Sequence, residues 1–525
     1  MDFEERVRRK RRQAIRALVA EVGMVLSIVA IVVVATLVAM GFFVGRDGKI
    51  EQSGLIQIHS MPTGASVELD GATLFSRTNL SRSMPAGEHQ LKLSRDGYDS
   101  WSKTVKMYSG MLIRLYYPRL FLQDRKSESV MRLGDDLAFY SPSTDYNNIL
   151  YARPKSTAWH LVNIRNDDVR DTVLELGEIL PGVKEKIFTG EIVEMIWSKN
   201  GDAILVKVKV AERSEWVLIN LKDIKQSLNL TKTFGLNIDH IEMIDDSAAQ
   251  LFVLENHQLR KINTNDRTIS RVLLNNIQSF SSYNNKVMYV ATVAEGEARK
   301  QQVGVYRDGD QGGTVIAEAE SDDRISVAIS KYYDDEYMTY IINDEMTIHY
   351  GPVPAYRENA KEIDFTGFKT LLAKLKLKIV PEKLVLSPNA DYLVASQGLN
   401  LAVVDLEMGE VFEYESNSER LDWFDNSMIA STVDGSLAVW DFDHTNLRTL
   451  VQQKKLDVEG DENLNDDLNA TGLKQDDSAE PKTVTTFINT EVAHYPALVS
   501  SNNRFMYYVV KTHDGLTLMR ERIRD

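Results

Sequence analysis

From Val22 to Val44 the chain reads VGMVLSIVAIVVVATLVAMGFFV, a run of 23 residues without a charge. A helix over it would be apolar on every side and about 35 Å long, enough to cross a hydrocarbon core with some tilt. The pattern predicts a single transmembrane helix over 22–44. A cleaved signal peptide fits less well. Its apolar stretch is shorter, about 7–15 residues, and ends in small residues, whereas Met40-Gly41-Phe42-Phe43 is bulky.

After a polar linker (45–53) the period changes to two. Ile56 and Ile58 alternate with Leu55, Gln57 and His59; Val67 and Leu69 form a second alternating run, and His89, Leu91 and Leu93 a third. Between them stand Met61-Pro62-Thr63-Gly64-Ala65, Asp70-Gly71, Pro85-Ala86-Gly87 and Asp96-Gly97, which are turn signals. Tyr98 and Trp101 lead into Thr104–Met107, and Leu112, Arg114 and Tyr116 close the unit. Residues 54–122 are predicted to be a small sandwich of short antiparallel strands.

From 130 to 525 one phrase recurs: two or three apolar residues, a Ser or Asp, a polar turn, then an apolar strand. Ile196-Trp197-Ser198-Lys199-Asn200-Gly201-Asp202-Ala203-Ile204 and Val385-Leu386-Ser387-Pro388-Asn389-Ala390-Asp391-Tyr392-Leu393 are the clearest copies. The turn anchors fall at Ser141, Ser198, Asp245, Ser281, Ser330, Ser387, Asp425 and Ser500. Ser and Asp bond the turn backbone, Pro presets φ, and Asn or Gly tolerates the corner. Three to four strands per copy, about eight times, predict a β-propeller of eight blades, with seven as the alternative. Two stretches break the repeat. Phe365, Phe368, Leu372 and Leu375 have helical spacing, while Lys374–Ile379 alternates like a strand with a solvated Lys face. Residues 452–482 are polar and acidic and read as a disordered loop. Overall the fold class is mainly β.

The order Pro62-x-Gly64-Ala65, Asp70-Gly71, Gly87-x-His89 and Gly97-Tyr98-x-x-Trp101 resembles the PEGA domain of bacterial and archaeal envelope proteins. Thr63 stands where that family has Glu, and Arg77-Thr78-Asn79-Leu80 replaces its usual Gly-x-Thr-Pro turn. Each motif residue has a structural role: Gly and Pro set turns, Tyr98 and Trp101 fill a small core, and His89 is a satisfied structural histidine. Exposed Tyr and Trp would instead offer a stacking face to a carbohydrate. The repeats resemble TolB-like propellers, and Trp440-Asp441 resembles the ending of WD repeats.

Charge sharpens the topology. Residues 1–20 carry seven bases, among them Arg8, Arg9, Lys10, Arg11 and Arg12, and sum to +4; the rest of the chain sums to −19. A basic flank before an apolar span keeps the amino terminus in the cytoplasm, so 1–21 is expected inside the cytoplasmic membrane and the domains after the span outside. A net charge of −15 argues against a nucleic-acid partner, which needs Lys and Arg for phosphates. With no cysteine there is no disulfide, thiolate metal site or thiol nucleophile. Asp457, Glu459 and Asp461 begin with EF-hand spacing, but Glu462 and Leu468 occupy the positions that need Gly and Glu. The nine histidines lack ligand spacing, and phosphate-loop, His-Glu-x-x-His and Gly-x-Ser-x-Gly motifs are absent.

No metal or cofactor is therefore expected. The expected function is non-catalytic: a single-pass protein whose propeller binds an envelope protein or cell-wall polymer outside the cell. A propeller hydrolase acting on surface glycans or peptides is the alternative, since two separated carboxylates suffice for glycoside cleavage.

Overall fold

The computed structural model describes residues 21–37, 41–44, 50–295, 298–353, 356, 370–416, 418, 422–454, 485–488 and 491–525. The chain forms two compact units, 1–121 and 122–525. The basic block Arg8–Arg12 and the acidic segment 455–484 lie outside the described residues.

In the first unit, residues 21–37 are helical (α1) and exposed along their whole length, with Val22, Leu26, Ile31 and Val34 between 51% and 66% exposed. Among the described residues no helix is long and apolar enough to cross a membrane. The helix expected to run to Val44 does not reach it. Gly41 takes φ +81°, which a right-handed helix cannot accommodate. Phe42–Val44 (β1) then pairs antiparallel with Ile50–Gln52 (β2), inside the stretch read as linker.

The remaining strands of this unit are Gly54–Ile58 (β3), Ser66–Leu69 (β4), Ala72–Thr73 (β5), Leu80–Met84 (β6), Gly87–Ser94 (β7), Trp101–Met107 (β8) and Leu112–Leu115 (β9). They form two sheets, ordered β6-β3-β9 and β5-β4-β7-β8. Ile56 and Ile58 from one, and Val67, Leu91, Leu93, Trp101 and Val105 from the other, are buried. One pairing differs from the all-antiparallel expectation: β3 and β9 are parallel, Leu55 opposite Leu112 and Ile58 opposite Leu115. The cause is the turn after β8. Met111 N–H donates to Tyr108 O (3.2 Å), and Leu55 N–H donates to Met111 O (2.8 Å). The chain thus crosses to the other sheet at the end where β3 begins and runs back in the direction of β3. As a result it comes into the domain at Gly54 and leaves past Leu115 at the opposite end.

Among the described residues the second unit contains eight consecutive sheets of four or five strands, and a two-stranded pair, Val183–Lys184 with Ile187–Phe188, between the first and second of them. Seven of the eight span 139–175, 191–229, 240–269, 277–320, 325–376, 383–415 and 422–488; the last combines strands between 491 and 522 with Ser127–Gly134 (β10). Within each of the first six, successive strands pair antiparallel in chain order. Buried apolar side chains fill the space between neighbours. Trp159 of sheet 1 shares a core with Val206 and Val217 of sheet 2, and Trp216 of sheet 2 with Leu251 and Val253 of sheet 3. Tyr392 of sheet 6 stacks on Phe442 of sheet 7 at 4.0 Å. Tyr507, Val509 and Leu518 of the last sheet pack on Ile149, Tyr151 and Val162 of the first. β10 pairs antiparallel with Gly515–Arg522, so the first strand of the unit belongs to the sheet made by its last residues.

Thr370–Lys376 is a strand whose Lys374 and Lys376 are exposed, as the alternation predicted. Phe365 and Phe368 fall outside the described residues.

Candidate functional site

The motif residues of the small β domain occupy turns and core. Gly64, Gly71, Gly87 and Gly97 all have positive φ. Asp70 and Gly71, at φ 50° and 79°, connect β4 to β5, the left-handed pair that a two-residue hairpin needs. Pro62 follows a cis peptide bond and is buried, as is Ala65. His89 Nδ1 lies 2.7 Å from Asp70 Oδ2, and its Nε2 lies 3.1 Å from Pro85 O. The His89 contact, and then the N–H of Gln90, hold the Asp70 carboxyl below its usual range. Tyr98 is buried with the Arg95 guanidinium 5.2 Å from its ring centre, and Trp101 is fully buried. Neither ring offers a face to a sugar.

Thr78 does more than the sequence indicated. It is buried, its Oγ1 accepts the Ala65 N–H at 2.9 Å, and it lies 2.6 Å from Ser60 Oγ. The segment that departs from the family turn therefore still staples the Pro62-Gly64-Ala65 corner. A lone threonine two residues before a strand is all that the sequence shows of it.

In the eight-sheet unit the recurring phrase builds hydrogen-bonded turns. Ser198 Oγ accepts from Asp202 and Ala203 N–H, both at 3.0 Å, and donates to Asn200 Oδ1. Ser387 Oγ accepts from Tyr392 N–H at 3.0 Å, and Asp425 Oδ1 accepts from Ser427 and Met428 N–H. Ser500 Oγ accepts from Phe505 N–H. Three anchors lie elsewhere. Ser141 is within a strand and the turn is held by Ser143, whose Oγ accepts from Asn148 N–H at 2.9 Å. Ser281 and Ser330 are also inside strands. Ser141 and Ser281 instead link sheets: Trp197 Nε1 donates to Ser141 Oγ at 2.8 Å, and Ile329 N–H to Ser281 Oγ at 3.4 Å. A strand Ser and a turn Ser look alike when the turn starts two or three residues later.

Two histidines of this unit are each paired with one acid. His160 Nδ1 lies 2.8 Å from Asp171 Oδ2, and its ring stacks on Tyr151 at 4.7 Å. His240 Nε2 lies 3.1 Å from Glu242 Oε1, whose other oxygen accepts Ser282 N–H and Oγ. Burial lowers the affinity of His240 for its proton, but Glu242 outweighs it and the pKa is raised. Asp391 is pushed up to about 7, chiefly by burial, with Asp405 adding to the rise. Its oxygens accept from Ser387 Oγ and Asn389 Nδ2, so it is a member of its turn. Among the described residues no group of three His, Asp or Glu side chains could hold a metal. A groove of about 330 Å³ runs between Ser129–Met131 and Asp167–Asp171, with Arg520 on its wall. Arg520 is tied to Glu128 and to Asp167 O.

Residues 53–118 match the sequence profile of the PEGA domain. No curated protein matches the chain. Among solved structures it resembles the β-propeller domain of Cps50 (Swd1) from Myceliophteria thermophila, at 11% identity over 60% of this chain and 99% of that one, TM-score 0.38. It also resembles an oligogalacturonate lyase in complex with manganese, at 10% identity over 76% of this chain and 98% of that one, TM-score 0.36. A third is apo AztD from Citrobacter koseri, at 9% identity over 74% of this chain and 94% of that one, TM-score 0.35. Overlap this loose identifies no activity. The chain thus joins a domain that matches the PEGA profile to a mainly β unit of consecutive, largely antiparallel sheets.

Proposed function

We propose that this is a non-catalytic envelope protein, held in the cytoplasmic membrane by α1, whose eight sheets are the blades of a closed propeller that docks an envelope protein or cell-wall polymer outside the cell. The observation that carries the reading is the helix: residues 22–37 hold no charge, and every one of them is exposed. Apolar side chains in that number cost about 25 cal/mol per Å² in water, and a bilayer removes that cost. The PEGA-like domain, with its two ends at opposite poles, serves as a spacer. The shared core of the last and first sheets, and the place of β10 in the last sheet, favour ring closure. Propeller loops and faces are common docking surfaces, which is an argument from the fold alone.

Two experiments on the full chain test this. After alkaline carbonate washing the protein is expected to stay with the membrane, and protease added to spheroplasts is expected to digest residues after 50; release by carbonate would overturn the anchor. Photo-crosslinking in intact cells is expected to trap a protein or wall fragment on the propeller. A purified protein that instead cleaves glycans or peptides would replace the docking role with hydrolysis.

A further inference from the structure

We propose that the end of the PEGA-like domain formed by Leu55, Lys106 and the Tyr108–Met111 turn beds into the lipid headgroup layer and holds the domain upright on the bilayer. This rests on the membrane-anchoring reading and adds a specific lipid contact to it.

Ser53 N–H donates to Gly41 O at 2.9 Å, Gly110 N–H to Ser53 O at 3.3 Å, and Ser109 Oγ to Gln52 O at 2.6 Å. The β1–β2 hairpin is thus fastened to the turn that follows β8. α1 is described to residue 37, and four Cα steps of 3.8 Å separate 37 from 41, a reach of at most about 15 Å. A surface that the chain leaves at the end of α1, residue 37, lies within that distance of the Gly41 end. Gly54 stands at the same end: a Cβ on it would meet Met107 Sδ, and Tyr108 O at 2.7 Å.

The side chains there suit an interface. Tyr108 is 39% exposed and Leu55 38% exposed, and Lys106 Nζ lies 5.3 Å from the centre of the Tyr108 ring. Tyrosine places an apolar ring and a polar hydroxyl at headgroup depth, and a neighbouring lysine reaches lipid phosphate along its alkyl stem. Glu88 is opposite Lys106 in the β7–β8 ladder, so the patch is nearly neutral, and the apolar contribution of Leu55 and Tyr108 leads. The wholly exposed Phe75 belongs to the other end, beyond Leu80, which pairs with the last residue of β3.

The chain has no cysteine, so single cysteines can carry a polarity-sensitive fluorophore. Ser83→Cys reports the proposed seat, because Ser83 is exposed and opposite Leu55; Phe75→Cys reports the far end. Each full-length protein is reconstituted in phosphatidylcholine–phosphatidylglycerol vesicles and floated. The expected result is that both float, that the Ser83 probe is quenched by nitroxide lipids and shielded several-fold from iodide, and that the Phe75 probe shows the reverse. Adding Leu55→Ser and Tyr108→Ser is expected to return the Ser83 probe to iodide while flotation persists. A floating protein whose two probes are equally open to iodide would overturn the seat alone. Failure to float would overturn the anchor, and the seat with it.

Discussion

Arg125 and Glu521 form a buried ion pair, Nε to Oε2 at 3.4 Å, with side chains 1% and 0% exposed. Ser127 Oγ and Tyr508 Oη both donate to Glu521 Oε1, at 2.6 and 2.7 Å, and Arg125 donates to Leu122 O and Leu450 O. One carboxylate therefore joins β10 to the strands that end the chain, and its arginine reaches the neighbouring seventh sheet.

Removing one partner of a buried pair leaves the other charged in a poor solvent, at about 3–5 kcal/mol. Glu521→Gln is expected to lower the unfolding free energy of the eight-sheet unit by that amount, read as a lower urea midpoint at unchanged slope. The double variant Arg125→Met/Glu521→Leu is expected to recover most of it, because the loss comes from the stranded charge. Urea titration followed by tryptophan emission checks both; equal losses in single and double variants would contradict the account.

Trp101 is the largest fully buried side chain of the small domain. Trp101→Ala should cost about 3–5 kcal/mol through transfer and cavity terms, seen as early proteolysis within 53–121. Phe75→Ser, at a fully exposed ring, should change stability by less than about 0.5 kcal/mol.

Gly54 is required by close approach, since its φ is ordinary and a Cβ there would run into Met107 and the Tyr108 carbonyl. Gly54→Ala is expected to destabilise by about 1–3 kcal/mol and to speed amide exchange at Gly110, whose bond to Ser53 O depends on the same approach. Thermal melting and hydrogen exchange read the two effects.

Asp391 carries a pH signature. Its folded pKa, about 7, lies above the unfolded value of about 3.9, so the folded state holds the proton more tightly. Its contribution to stability is complete below about pH 4 and falls as pH rises towards 7, by about 1.4 kcal/mol per pH unit. Asp391→Asn should flatten this part of the stability–pH curve. An unchanged curve between pH 4 and 7 would show that burial does not perturb the carboxyl.

The local rules were legible where geometry forces residue type. Asp70-Gly71, Asp96-Gly97 and Asp434-Gly435 all form turns with positive φ at glycine, because few other residues tolerate that corner. Ser198, Ser387, Asp425 and Ser500 anchor turns as their spacing predicted. Ser141, Ser281 and Ser330 did not, because a hydroxyl can serve a turn or a neighbouring sheet, and the choice depends on what packs beside it.

Hydrophobic period and turn chemistry act over a few residues. They were therefore enough to mark most of the strands and the apolar stretch after residue 21, and they left the number of repeating units at eight or seven. The parallel β3–β9 pairing, the union of β10 with the carboxyl-terminal strands and the Arg125–Glu521 pair join residues tens to hundreds of positions apart. No local pattern encodes such partners. They follow from which surfaces remain to be buried once the strands have formed, and so were decided by packing in three dimensions.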